Sequence, residues 1–250
     1  MRFSLPAMRE LVLGPAEYQA RSPWNPALAV VATLVILATA AVVATALLNV
    51  LGAFSRGATN TAQWGTATWL LGMQGSVIAL VIVAAGLFGG RRDQVLGLMR
   101  GTPPRIYVAA ILLMFLVQVV YNAIVLPFAH ETILEDAKLF LEPLSSDAVW
   151  LYALAIVIGA PLSEELLFRG FLQSALAQTR LGFAGAALVS TLGWTALHAG
   201  YSSLGLIEVF VAGLFFSWLL WRTGNLWVPI VAHAFYNGMV MMGLLVFART

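Results

Sequence analysis

The segment Pro161-Leu-Ser-Glu-Glu-Leu-Leu-Phe-Arg-Gly170 sets two carboxylates and a guanidinium inside an apolar stretch. On a helix, Glu165 and Arg169 stand at i and i+4, on one face and within salt-bridge reach. Glu164 is turned about 100° from Glu165 and needs a different partner. One carboxylate is then held by a local cation, while the other can face a cavity and act as a general base. Unpaired, the three charges would cost on the order of 8 kcal/mol at a helix centre, so mutual pairing or a water-filled cavity must offset them. A structural salt bridge with a second Glu near an interface is the plainer alternative. His198 closes the run Trp194-Thr-Ala-Leu-His198, and His233 stands four residues before Asn237 in His233-Ala-Phe-Tyr-Asn237. His233 and Asn237 can therefore point into one cavity. Imidazole and amide serve as metal ligand, proton carrier or donor to a developing oxyanion. A single intramembrane His is more often a hydrogen-bonded packing residue. Three such sites in one short chain weigh against coincidence.

The elements that position these residues are apolar. The chain has 250 residues, 61% hydrophobic and only 10% charged, against roughly 25% charged in an ordinary soluble domain. That composition excludes a soluble enzyme, a disordered chain and a nucleic-acid binder, and leaves a polytopic membrane protein. The absence of cysteine excludes disulfides, thiolate metal sites and cysteine nucleophiles. Uncharged stretches bounded by Arg21, Arg56, Arg91, Arg105, Glu131, Arg180, Glu208, Arg222 and Arg249 are each long enough for a helix of about 20 residues across the hydrocarbon layer. The expected fold class is an all-α transmembrane helical bundle of about seven spans, near 26–50, 66–89, 106–129, 149–175, 183–199, 204–221 and 227–248. Its active site belongs in a cavity among the C-terminal four. Pro161 implies an irregular fourth span, which admits a polar cavity within the membrane.

Three parts follow: a cytoplasmic segment 1–25, three N-terminal spans over 26–148, and a catalytic helical domain over 149–250. Residues 1–22 mix apolar and charged positions and can lie along the membrane surface, with Pro6 and Pro15 limiting any helix. The first apolar run starts too late and runs too long for a signal peptide. Alternating sides from a cytoplasmic N-terminus puts Arg2, Arg9, Arg21, Arg91, Arg92, Arg100, Arg105, Arg180 and Arg222 inside. Only Arg56, Lys138 and Arg249 then fall outside, with an external loop over 130–148. The positive-inside rule favours this N-in, C-out arrangement.

Other polar residues have plainer readings. Gln118, Tyr121 and Asn122 suit interhelical hydrogen bonds, Glu208 a structural role near the external headgroups, and His130 an interface. Gly182, Gly185 and Gly193 are expected to permit close helix approach.

The sequence resembles the CPBP family of intramembrane proteases, which includes the type II CAAX prenyl endopeptidases and the bacterial Abi proteins linked to bacteriocin immunity. The first family motif, Glu-Glu-x-x-x-Arg, is Glu164-Glu165-Leu-Leu-Phe-Arg169. The second, Phe-x-x-x-His, is matched by Trp194-Thr-Ala-Leu-His198, where Trp for Phe is expected to alter only packing. The third, His-x-x-x-Asn, is His233-Ala-Phe-Tyr-Asn237. The resemblance covers roughly 149–245. It implies that Glu164 with His198 activates a water for attack on a peptide carbonyl, that His233 and Asn237 stabilise the oxyanion, and that Arg169 holds Glu165. It also leaves room for a catalytic zinc on Glu164, His198 and His233 with a fourth position for water. The metal-free mechanism is preferred over one with zinc. The implied partners are the lipid bilayer and a peptide or membrane-protein substrate, in a bacterial inner membrane. A catalytically silent scaffold or immunity protein is the alternative. A proton-coupled transporter is disfavoured because the polar residues crowd the C-terminal half, without matching broken helices in two halves.

Overall fold

The computed structural model describes residues 4–54, 61–98, 101–144 and 147–247. Helix α1, Ser4–Leu13, tolerates Pro6 in its first turn, where the missing N–H leaves no bond unmade, and it ends before Pro15. Then come α2 (Pro26–Phe54), α3 (Thr61–Ala85) and α4 (Pro104–Leu144). The fifth helix, α5, runs over Val149–Leu176 and is followed by α6 (Gly182–Ala196), α7 (Ser203–Thr223) and α8 (Trp227–Phe247). Among the described residues, six helices are long and apolar enough to cross a membrane: α2, α3, α4 over Pro104–Ala129, α5, α7 and α8.

Two expectations need correction. The span expected over 183–199 is α6, only 15 residues long, or about 22 Å at 1.5 Å per residue, short of the ~30 Å hydrocarbon core. It nevertheless runs from one end of the bundle to the other. Gln178, just before it, donates to the Ser22 carbonyl (2.6 Å), and Phe183 meets Tyr18 and Trp221. At its far end Ser202 caps α7 and is held by Asp136. The second correction concerns 130–148. The expected loop is a continuation of α4, which kinks at Ala129 (φ −145°, ψ 33°) and stays helical to Leu144. The side chain of His130 and the residues Arg2, Arg56, Arg100 and Arg249 lie outside what is described.

Residues 4–24 pack beneath the bundle. Arg222 Nε donates to the Leu11 carbonyl (2.6 Å) and Nη2 donates to the Gly14 carbonyl. The amides of Glu17 and Tyr18 both donate to the Trp221 carbonyl. This close approach requires Gly224, the left-handed C-cap of α7 (φ +58°), because a Cβ there would stand 2.8 Å from the Glu17 carbonyl oxygen. Leu226 N–H donates to the Gly97 carbonyl (2.8 Å). Residues 4–24, residues 91–98, Gln178 and Arg222 thus gather at one end.

One apolar core runs through both halves of the chain, from Ala29, Val81 and Met114 to Phe171, Phe216 and Ala232. The expected close-approach glycines do not serve it. Gly182 has open space around it, Gly185 faces its own Leu181, and Gly193 has ordinary contact with Phe168. Tighter approaches within the bundle include Gly170, packed under Leu96 and Leu226, Gly213, and Gly159 against Gln74.

Candidate active site

Helix α5 departs from α-helical register twice. Residues Ala155–Gly159 and Glu165–Leu172 form π-helical turns on either side of Pro161 and the short α segment Ala160–Glu164. Proline supplies the reason. Ala160 N–H bonds to the Ala155 carbonyl, five residues back. The Ile156 carbonyl would take its donor, in that register, from residue 161, and proline has no N–H. The Asn237 side chain fills the gap, with Nδ2 donating to the Ile156 carbonyl at 2.8 Å. Across the second π turn, Ser190 Oγ donates to the Phe168 carbonyl (2.7 Å).

The π turn carries Glu165 and Arg169 into full burial at 0% exposure each. Arg169 Nη1 donates to Glu165 Oε1 at 3.1 Å, as the i, i+4 spacing predicts. Its Nη2 donates to the Gly213 carbonyl (3.1 Å), and its guanidinium carbon lies 4.5 Å from the Trp194 ring centroid, a cation–π contact. The same Oε1 of Glu165 lies 3.0 Å from His233 Nδ1. An arginine-paired carboxylate can only accept, so His233 carries its proton on Nδ1 and turns the lone pair of Nε2 the other way. Phe216 stacks on the imidazole (centroids 4.6 Å apart, 20° between planes) and Trp194 meets it edge-on at 5.6 Å.

Glu164 has the different partner its position demands. Its side chain keeps 24% exposure, its Oε2 lies 3.9 Å from His233 Nε2, and it accepts the indole N–H of Trp194 at 2.6 Å. Trp194 is therefore more than the packing residue expected. The signal was available, because a buried indole N–H seeks an acceptor and Glu164 lacked a donor. Gly213 and Ser190 were also missed. Gly213 acts through its carbonyl and Ser190 through its hydroxyl, in contacts that only the fold brings near.

His198 and Asn237 stand at the margins. The His198 ring lies 5.0 Å from Trp194 and 5.6 Å from Tyr201, with Nδ1 3.0 Å from the Trp194 carbonyl. Among the described residues no hydrogen bond joins it to Glu164, His233 or Asn237. Trp194 still links the two histidines, since its ring touches both. As zinc ligands, Glu164, His198 and His233 do not fit. Among the described residues no three His, Cys, Asp or Glu side chains are placed to share a metal ion.

Elsewhere, Gln118 Nε2 and Tyr236 Oη both donate to Glu208 Oε1 at 2.7 Å, and Tyr121 Oη donates to the Leu204 carbonyl. These are the interhelical bonds expected of Gln118 and Tyr121. Among the described residues Asn122 bonds only within its own helix, to the Gln118 carbonyl. A cavity of about 490 Å³ lies at the Arg222 end, lined by Tyr18, Gly97, Asn225 and one side of Arg169. Glu164, His198 and Asn237 do not line it.

A buried Glu–Arg pair orienting an imidazole, beside a partly exposed second Glu, is the arrangement that the Glu-Glu-x-x-x-Arg and His-x-x-x-Asn residues take in three dimensions. Residues 146–239 match the Type II CAAX prenyl endopeptidase Rce1-like family. This Rce1-like region contains all six motif residues and Trp194. A curated protein of Escherichia coli, described as an uncharacterized 24.3 kDa protein, is 36% identical over 102 residues, which are 38% of this chain and 45% of that one. The chain thus aligns with under half the length of that relative. No solved structure matches the chain.

Proposed function

We propose that this protein is an intramembrane endopeptidase that hydrolyses a peptide bond in a short or membrane-associated substrate, with Glu164 as the general base. The observation that carries this reading is the division of labour between neighbouring glutamates. Glu165 is spent on Arg169 and His233, while Glu164 stays partly exposed beside His233 Nε2. The 3.9 Å between Glu164 Oε2 and His233 Nε2 is too long for a direct hydrogen bond. A water beside that gap can reach both atoms.

Glu164 takes a proton from this water as its oxygen attacks the carbonyl carbon. Charge then develops on the carbonyl oxygen, where donors stabilise it. Asn237 keeps a second Nδ2 hydrogen beyond the one given to Ile156. His233, when protonated at Nε2, is the other donor, its ring fixed by Glu165 and Phe216. As the C–N bond breaks, the proton held by Glu164 passes to the leaving amine, and acid and amine products balance the water consumed. His198 sits one ring away, beyond Trp194, and its role is to shape the substrate side.

The basic end, with the N-terminus, faces the cytoplasm of a bacterial inner membrane in this reading. The test is cleavage of a peptide library, in prenylated and unprenylated forms, by wild-type protein in liposomes. Cleavage that His233→Ala abolishes supports the proposal. A wild type that cleaves nothing but retains a bound peptide favours the silent scaffold.

A further inference from the structure

Trp194 is placed to do more than fill space. It is 3% exposed, and its ring is fixed on several sides, by the Arg169 guanidinium at 4.5 Å, His198 at 5.0 Å, His233 at 5.6 Å and Phe216 at 6.1 Å. Its one polar atom, Nε1, donates to Glu164 Oε2 at 2.6 Å. The same Oε2 lies 3.9 Å from His233 Nε2. A glutamate side chain with this much exposure otherwise keeps its rotamer freedom, about 1.5–2 kcal/mol of entropy at most. A rigid donor removes that freedom at Oε2 and leaves the carboxylate's remaining lone pairs for the water beside His233 Nε2.

We infer that Trp194 is a positioning residue for hydrolysis: its indole N–H holds the Glu164 carboxylate in the orientation that accepts the proton of water. This rests on the reading of Glu164 as general base. Phenylalanine in the same place would keep the ring against Arg169 and His233 and could not hold the carboxylate. Ring and N–H therefore make separable contributions.

Replacing Trp194 with β-(3-benzothienyl)alanine, by stop-codon suppression, keeps the bicyclic shape and removes only the N–H. The expected result is a fall in kcat of about tenfold to a hundredfold, the range of a small misplacement of a catalytic group, with KM unchanged. Trp194→Phe should fall at least as far. If the benzothienyl protein keeps wild-type kcat while Trp194→Phe loses it, the ring alone matters and the inference is overturned.

A second readout needs no activity. In protein labelled with ¹⁵N at the indole nitrogen, Glu164→Gln should shift the Trp194 N–H resonance more than those of the other tryptophans, eight being present in all. An unmoved Trp194 resonance means that the N–H does not hold Glu164, and overturns the inference whether or not the enzyme reading stands. A clear shift in a protein whose Glu164→Gln variant still cleaves normally would overturn both the base assignment and any positioning role built on it.

Discussion

Glu165 and His233, 68 residues apart in the chain, are joined by a 3.0 Å contact between Oε1 and Nδ1. Because Arg169 shares that oxygen, the imidazole is fixed in tautomer and orientation before any substrate arrives. Three elements meet in this contact. The π turn of α5 brings Glu165 and Arg169, α8 brings His233, and α7 supplies the Gly213 carbonyl that completes the arginine.

Breaking the pair should therefore cost stability as well as activity. Glu165→Gln leaves Arg169 buried without its counter-charge, which should lower stability by about 3–5 kcal/mol. The check is thermal unfolding in detergent. A melting temperature equal to wild type would mean that Arg169 is not buried as described.

Gly213 is expected to resist even the smallest enlargement. A Cβ there would lie 2.9 Å from Arg169 Nη2, 2.9 Å from Trp194 Cε3 and 2.7 Å from Thr191 Cγ2. Gly213→Ala should destabilise by about 1–3 kcal/mol through overpacking, and cleavage per folded molecule should drop as Arg169 and Trp194 shift. Chemical denaturation with a parallel cleavage assay reads both effects.

For Asn237→Ala the Ile156 carbonyl loses its donor, at a cost of about 1–3 kcal/mol. If the amide also stabilises the oxyanion, kcat per folded molecule should fall by about 10²–10³ with KM little changed. A variant that loses stability alone would assign Asn237 to repairing the π turn.

On α4, Asp136 accepts from Ser202 N (2.8 Å) and Ser202 Oγ (2.6 Å), bracing the N-terminus of α7. Asp136→Ala should cost about 1 kcal/mol, the scale of a lost cap, with kcat/KM per folded molecule unchanged. A change in kcat/KM without a change in stability would contradict this purely architectural role.

Much of this was legible in the sequence because charge is so scarce in it. Glu165 and Arg169 announce their pairing by spacing, and the apolar runs locate α2, α3 and α4. The limits were physical too. Charge spacing alone does not reveal that α6 stops at Ala196, or that α4 stays helical beyond its kink at Ala129. Periodicity does not predict a π register. Pro161 marked the irregularity, but that Asn237 would repair it depended on α8 lying against α5. Trp194 looked like a conservative aromatic exchange until Glu164 was seen beside it.

The account turns on Glu164, and one comparison tests it most directly: kcat/KM for a cleaved peptide and melting temperature, measured on wild type and Glu164→Gln in the same liposomes or detergent. Glutamine keeps the shape and can still accept the Trp194 N–H, but it cannot take a proton from water. The account predicts a loss of at least about a hundredfold in kcat/KM, within the range of general-base contributions, at a nearly unchanged melting temperature. Cleavage at the wild-type rate by a folded Glu164→Gln protein would contradict it.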